Sequence, residues 1–362
     1  MHPVVIGGGV AGLACAAALQ QTRMDTPTLI ERRPLGTHAG LGFLLMPTGI
    51  DALQKLAPGI DFRTSGQAID RIEMRCLDGT LLAAQRLQSA TCVSRKRFLD
   101  ALQAVAEGHH LYGKEVEDFS RTADGVIDAV VLEGGQRLPG DVFFACDGVN
   151  SRARSLMFPH SRLSAVVVKE VVSSVTAPEL AHRLGRTFHK YYDPHGGLAI
   201  GLLAESTDRV VWFVQFDPQR FAGVESDRIS MSRFVRDVTS SVAPLIQALV
   251  SMTDFSKSYL WATRDLLPLD NLSVENLVLV GDAAHACLPF TSQGANSALA
   301  DAAVLAKLLA KVENTDELRI AFKSYSAQRR PRNHKVFAEG RKLRDAFLQP
   351  LGLQPPAVPL VQ

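Results

Sequence analysis

The sequence predicts an α/β fold of dinucleotide-binding type, with a β-rich insertion and a helical C-terminal end. Three observations predict it. Near the N-terminus, Val4-Val5-Ile6 form a short apolar strand that runs into glycines, then an Ala/Leu-rich stretch to Gln21, then a second strand over residues 28–31. Towards the other end, residues 277–280 form another short apolar strand, and an Ala/Leu helix follows over 295–312. Between these ends, 166–175 and 198–216 are rich in β-branched and aromatic residues, with Gly196-Gly197 between strand candidates. One nucleotide fold assembled from separated segments, with a sheet inserted into it, accounts for this order with the fewest parts.

The remaining elements follow in chain order. Residues 41–57 read as a loop with a helix, and 66–93 alternate as strands do (Ile69, Ile72, Met74). Phe98, Leu99, Leu102 and Val105 are spaced for a helix over 95–107. Residues 126–146 read as a hairpin feeding a buried strand. A helical stretch over 229–252 is interrupted at Pro244, and a charged helical end over 315–348 is broken by Pro331. Arg329, Arg330, Arg332, Arg341 and Arg344 on that end read by default as a solvated face, with packing in cis or at a dimer as the alternative, and the proline-rich tail from Pro350 as an irregular strap or frayed end. The expected division is a dinucleotide domain from 1–65, 92–155 and 265–312, a β-rich substrate domain from 66–91 and 156–264, and a helical segment with tail over 313–362.

Composition excludes several classes. A formal net charge of +2 over 362 residues gives no broad basic surface for nucleic acid. Cys15, Cys76, Cys92, Cys146 and Cys287 are odd in number and scattered, so neither a disulfide framework nor a zinc site is expected. No metal is expected. No basic leader precedes the first strand, and no apolar run nears the ~20 residues of a membrane span. The expectation is a cytoplasmic protein, monomer or homodimer.

Gly7-Gly8-Gly9-Val10-Ala11-Gly12 fits G-x-G-x-x-G between a strand and a helix. Gly7 permits the turn, Gly9 lets backbone approach a pyrophosphate, and Gly12 lets helix pack on strand. Val10 and Ala11 place free helix N–H groups before the phosphates. Glu31 closes the next strand roughly 20 residues on, where an acid binds ribose hydroxyls. Arg32 follows, placed to stack on an adenine or to face solvent. This motif alone does not separate FAD from NAD.

Two later motifs separate them. Asp147-Gly148-Val149-Asn150-Ser151-Arg152-Ala153-Arg154 reads D-G-x-x-S-x-x-R. Gly281-Asp282-Ala283-Ala284-His285, Pro289, Gln293-Gly294-Ala295-Asn296 and Asp301-Ala302 read G-D-A-A-H-x-x-x-P-x-x-x-Q-G-x-N-x-x-x-x-D-A. With Arg95 at a softer helix-start match, these resemble the single-component (group A) FAD-dependent aromatic hydroxylases of the p-hydroxybenzoate hydroxylase type. The resemblance covers about 1–155 and 265–345, and no motif matches 156–264. It implies a glutathione-reductase-type, Rossmann-like FAD domain with an inserted mixed β-sheet substrate domain and C-terminal helices. Asp282 can accept from ribityl hydroxyls. Gly294 to Asn296 open a helix towards the negative edge of a reduced flavin. Asp147 and Arg154 lie near the pyrophosphate in that family, Arg95 reaches the flavin chain, and Pro289 sits beside the ring. Many relatives carry glycine where Ser292 stands.

The implied activity is a monooxygenase. NAD(P)H reduces FAD, O₂ forms a flavin C4a-hydroperoxide, and an aromatic or polycyclic small molecule is hydroxylated. Phe43, Leu45, Phe188, Tyr191, Trp212, Val214 and Phe290 are candidate pocket residues, with His189, Tyr192, His195, Phe213 and Phe216 beside them. No catalytic base is identified; Pro289, Gln293 and Gly294 form the flavin-face loop. A halogenase lacks support, since Trp212 and Trp261 stand alone without W-x-W-x-I-P. A flavin reductase of an isoprenoid-like substrate and a non-catalytic FAD-binding scaffold are the rival readings.

Overall fold

The structure is a computed structural model that describes residues 1–37, 41–62 and 66–352. The first half runs β1 (Pro3–Ile6), α1 (Val10–Leu19), β2 (Thr28–Glu31), β3 (Phe43–Leu45), α2 (Pro47–Leu56), β4 (Gln67–Cys76), β5 (Leu81–Val93), α3 (Arg95–Val105), β6 (His109–Tyr112), β7 (Val116–Arg121), β8 (Ile127–Leu132), β9 (Arg137–Pro139), β10 (Val142–Ala145) and α4 (Arg152–Met157). The second half runs β11 (Lys169–Thr176), α5 (Pro178–Leu184), β12 (Thr187–Tyr192), β13 (Leu198–Ala204), β14 (Arg209–Phe216), α6 (Arg228–Thr239), α7 (Pro244–Ser251), β15 (Tyr259–Ala262), β16 (Ser273–Val274), β17 (Leu277–Leu279), α8 (Asp282–His285), α9 (Gly294–Leu309) and α10 (Thr315–Leu348).

Six strands form one sheet in the order β16-β17-β10-β1-β2-β6. Its inner strands are parallel: Val5 lies beside Phe144 on one side and Leu29 on the other. Buried on both faces, they read as unbroken apolar runs rather than alternations. α1 packs here with its whole surface buried, because Ala and Gly let helix and sheet approach closely. The core includes Val4, Val5, Leu13, Phe143, Phe144, Leu279, Leu299 and Phe322.

Eight strands form a second sheet in the order β15-β11-β14-β13-β12-β4-β5-β3, mostly antiparallel, with β12 and β4 parallel. Strand alternation divides its side chains between two cores. The back face (Tyr191, Trp212, Val214, Phe216) packs under α6 and α7 through Met231, Phe234 and Ile246. The front face (Phe188, Tyr192, Val211) meets Leu288 and Phe290 of the loop before α9, and Leu343 and Phe347 of α10. A small three-stranded sheet, β7-β8-β9, packs on the first core through Val116, Phe119 and Val130.

The expected break at Pro331 is absent. α10 runs through the proline as one helix of 34 residues. Proline removes one backbone hydrogen bond and crowds the preceding turn. Burial of Leu318, Phe322 and Tyr325 before it and of Val336, Leu343 and Phe347 after it offsets that cost. The arginine face is not wholly solvated either: Arg329 is buried against Asp301, and Arg341 pairs with Asp265 at 2.8 Å. The proline-rich tail from 353 lies outside the described residues.

Candidate functional site

The three motifs meet at the carboxyl ends of the parallel strands. Gly7 leaves β1 at φ +105°, and a Cβ there would collide with the Cys146 carbonyl at the end of β10. A Cβ on Gly12 would strike the Gly7 carbonyl, so this crossing of helix and turn requires glycine. Nothing lies within 4 Å of the position a Gly9 Cβ would take, and Gly9 caps α1 without any side-chain hydrogen bond. The first-turn N–H groups of α1, from Val10 and Ala11 on, therefore open onto space that a phosphate can fill. Glu31 Oε2 accepts from Gly8 N at 2.6 Å and Oε1 from Arg33 N at 2.8 Å, which fixes the carboxylate at the rim of that space. Arg32 is exposed and pairs with Glu115 at 3.5 Å.

Gly281 sits at φ +61°, where an added Cβ would lie 2.8 Å from Ala11 Cβ. The glycine turn and the Gly281-Asp282 turn are thus in contact. Asp282 is exposed and opens α8. A Cβ on Gly294, at the start of α9, would stand 3.6 Å from Asp282 Oδ1. Arg95, at the start of α3, faces the same carboxylate; burial lowers its pKa, and Asp282 opposes that shift. One carboxylate, one guanidinium and one helix start therefore converge.

Asp147 supplies the test of fit. Its Oδ2 accepts from Ala153 N at 3.0 Å, but Oδ1 is buried with no partner among the described residues. A buried acceptor left open is costly, and a hydroxyl-bearing ligand satisfies it. Arg154 is buried, and its guanidinium donates to the carbonyls of Ala283 (3.0 Å) and Val149 (2.6 Å). It clamps the Asp147 turn to the Gly281 turn. Asn296 acts similarly: Oδ1 accepts from Met46 N at 2.8 Å, and Nδ2 donates to Leu44 O at 2.9 Å and Ser292 O at 2.7 Å. It holds β3 and the loop before α9 to one helix. These two side chains hold the walls of the site in place.

Behind the Gly281 turn, Asp301 is fully buried. Its carboxylate meets His285 Nε2 at 2.6 Å and Arg329 Nε at 2.5 Å, and accepts from Gly281 N at 2.9 Å. Burial pushes the carboxyl up, but His285 and Arg329 outweigh it and bring it down to about 2. His285 is a strut of the turn. The loop from Pro289 to Thr291 forms a single 3₁₀ turn, Ser292 follows at φ +52°, and Gln293 is buried at the start of α9.

The candidate pocket residues do not come together, and this corrects the sequence reading. Phe188 and Phe290 share the front-face layer. Tyr191, Trp212 and Val214 lie in the back-face core, because they occupy the other parity of their strands. Phe43 and Leu45 pack on the dinucleotide core, with Phe43 edge-on to Phe98 at 5.1 Å. Their neighbours Leu44 and Met46 are the ones in the front-face layer. His189 faces Glu73 at 3.6 Å, and His195 is exposed. Sequence reasoning missed Lys190, Glu170 and Gln215, which are buried polar residues of the eight-stranded sheet. The signal for Lys190 was its place between aromatics of the same parity, Phe188 and Tyr192.

A family model described as FAD binding domain matches residues 2–339. The chain belongs to the FAD binding domain family. Its cofactor is FAD, and the open space at Gly9, the orphaned Asp147 oxygen and the exposed Asp282 suit that ligand. Family relatives include the FAD-dependent monooxygenase OpS4 of Beauveria bassiana, 28% identical over 97% of this chain and 86% of that protein. The FAD-dependent urate hydroxylase of Klebsiella pneumoniae is 26% identical over 94% and 89%. Among solved structures, Klebsiella pneumoniae HpxO complexed with FAD and uric acid superposes with a TM-score of 0.85 at 23% identity, covering 96% of this chain and 89% of that one. The 2,6-dihydroxypyridine-3-hydroxylase from Arthrobacter nicotinovorans gives 0.85 at 16% identity, covering 99% and 96%. The family resemblance drawn from the motifs holds: this is a flavoprotein of the FAD-dependent monooxygenase and hydroxylase group. The inserted sheet, which no motif identified, falls inside the family match.

Proposed function

We propose that the chain hydroxylates an aromatic or polycyclic small molecule, with NAD(P)H as electron donor and O₂ as oxygen source. When bound, FAD supplies the redox chemistry: it takes electrons from NAD(P)H and delivers one oxygen atom of O₂ to the substrate. The observation that carries this reading is the loop from Pro289 to Gly294. It leads into an α9 N-terminus beside Asp282, and its Phe290 packs on the front face of the inserted sheet. A loop joining the cofactor turn to an apolar sheet face suits oxygen transfer to an apolar molecule.

The protein's part is to bind, orient and exclude water. Gly9, Val10, Ala11 and the rest of the α1 start would hold the pyrophosphate, and Glu31 the ribose. Asp282, Arg95 and Asp147 would hold the linking chain. The N–H groups of Gly294 and Ala295 at the α9 start favour negative charge in front of them. Leu44, Met46, Leu288 and Phe290 keep the front layer dry. That the urate hydroxylase relative acts on a flat ring supports a planar substrate.

The test is the visible spectrum of the purified protein, followed by NADPH and NADH addition with and without air. Flavin bands that bleach anaerobically, return with O₂, and bleach faster when an aromatic compound is present support the proposal. Full turnover without O₂ would leave the reductase reading in its place.

A further inference from the structure

Lys190 is 2% exposed, and the reading above gives it no task. Alternation along β12 sets Phe188, Lys190 and Tyr192 on the front face of the sheet. In the ladder Lys190 stands beside Met74 of β4 and Gly201 of β13, and Gly201 beside Phe213 of β14. Gly201 has no side chain, and a Cβ there would run into the Phe213 ring. The next row holds Tyr192, Ala199, Gln215 and Glu170. β13 therefore contributes only Gly201 and Ala199 between two rows of large side chains.

Lys190 Nζ lies 5.4 Å from the centre of the Tyr192 ring, 5.7 Å from Phe213 and 5.3 Å from Phe290, the residue after Pro289. Glu170 is its charged neighbour, and that carboxylate is engaged by the Gln215 amide. Among the described residues Gln215 Oε1 is buried without a partner, and the Lys190 ammonium is set against the faces of three rings. An amine with three donors, buried among ring faces, is stabilised by any acceptor brought to it. Burial pulls Lys190 down to about 7 against the pull of Glu170, and pushes Glu170 up. The charge on Lys190 is thus poised to respond to a neighbouring anion.

We propose that Lys190 is a substrate-binding residue, its Nζ receiving the anionic oxygen of a flat aromatic ligand seated among Tyr192, Phe213 and Phe290. The ligand class is an aromatic or heteroaromatic ring bearing a phenolate, an enolate or a carboxylate. Only the ligand's status as substrate rests on the monooxygenase reading; its binding does not.

The experiment titrates the FAD-loaded protein with p-nitrophenol, benzoate and urate, with nitrobenzene as the neutral control. Binding is read as a perturbation of the flavin spectrum, and p-nitrophenol and benzoate separate phenolate from carboxylate preference. Lys190→Met is expected to weaken the anions by about tenfold to a hundredfold, to leave nitrobenzene within about twofold, and to keep the FAD content. Lys190→Arg restores part of the loss. In turnover, KM rises more than kcat falls. Glu170→Gln, which removes the carboxylate that favours the charged amine, moves the loss of benzoate binding to lower pH, and it keeps the test open if Lys190→Met fails to fold. The proposal is overturned if Lys190→Met binds the anions as the parent does, if Glu170→Gln leaves the pH dependence of benzoate binding unchanged, or if the parent responds to none. A parent that binds anions through Lys190 but consumes no O₂ sinks the monooxygenase reading alone. Equal hydroxylation of an anionic aromatic by parent and Lys190→Met sinks this proposal alone.

Discussion

Ser292 holds φ +52° and ψ +27°, a left-handed conformation in which a side chain costs about 1–2 kcal/mol. The sequence marked this position as a departure from a usual glycine, and the backbone supplies the reason. Ser292→Gly is expected to raise stability by up to about 1 kcal/mol, since glycine's own entropy loss takes back part of the gain. An unchanged or lowered urea midpoint would count against it. Asp301 gives the pH dependence. Its carboxyl titrates near 2 in the folded chain, against about 3.9 when unfolded. The folded value is the lower one, so the contribution is complete above about pH 4 and is lost as pH falls towards 2. It amounts to about 2–3 kcal/mol. Urea melts of Asp301→Asn should show lower stability at neutral pH and a flatter loss between pH 4 and 2. A parent-like acid limb in the variant would refute the assignment.

At the element scale, the sequence disclosed most of the buried strands and which residues alternated, but it read β3 as part of a loop and gave no reading for β6, β7 or β15. It did not disclose where each face points. Phe43 and Leu45 against Leu44 and Met46 is the clearest case: the pattern fits either assignment, and contact with Phe98 on one side and the front-face layer on the other decides it. Trp212 was misplaced for the same reason. The cofactor end was more legible, because glycines at tight crossings and an acid at a strand end are demanded locally by the turn. What the sequence did not disclose there is that the side chains of Arg154 and Asn296 also donate to carbonyls of neighbouring segments. Asn296→Ala strips three hydrogen bonds that hold β3 and the Ser292 loop to α9. A cost of about 2–3 kcal/mol is expected, with faster loss of FAD on dilution. Full FAD retention in the variant would show that those segments hold their places without it.

At the scale of the molecule, α10 joins the two layers. Its first half packs on the dinucleotide core through Leu318, Phe322 and Tyr325, and its last turns pack on the front-face layer through Leu343 and Phe347. The first core is itself drawn from distant parts of the chain: β17 covers the edge of β10, and α9 packs against α1. This ordering bears on how the protein is made. A nascent chain ending before residue 265 has every residue of the glycine turn but an unpaired β10 edge and an uncovered α1, so it presents apolar surface and strand edge to other chains. FAD capture must wait until the last quarter has left the ribosome, and chaperone demand falls in that interval. Expression of residues 1–264 alone should give a colourless, aggregating product, and a soluble yellow one would contradict this order of events.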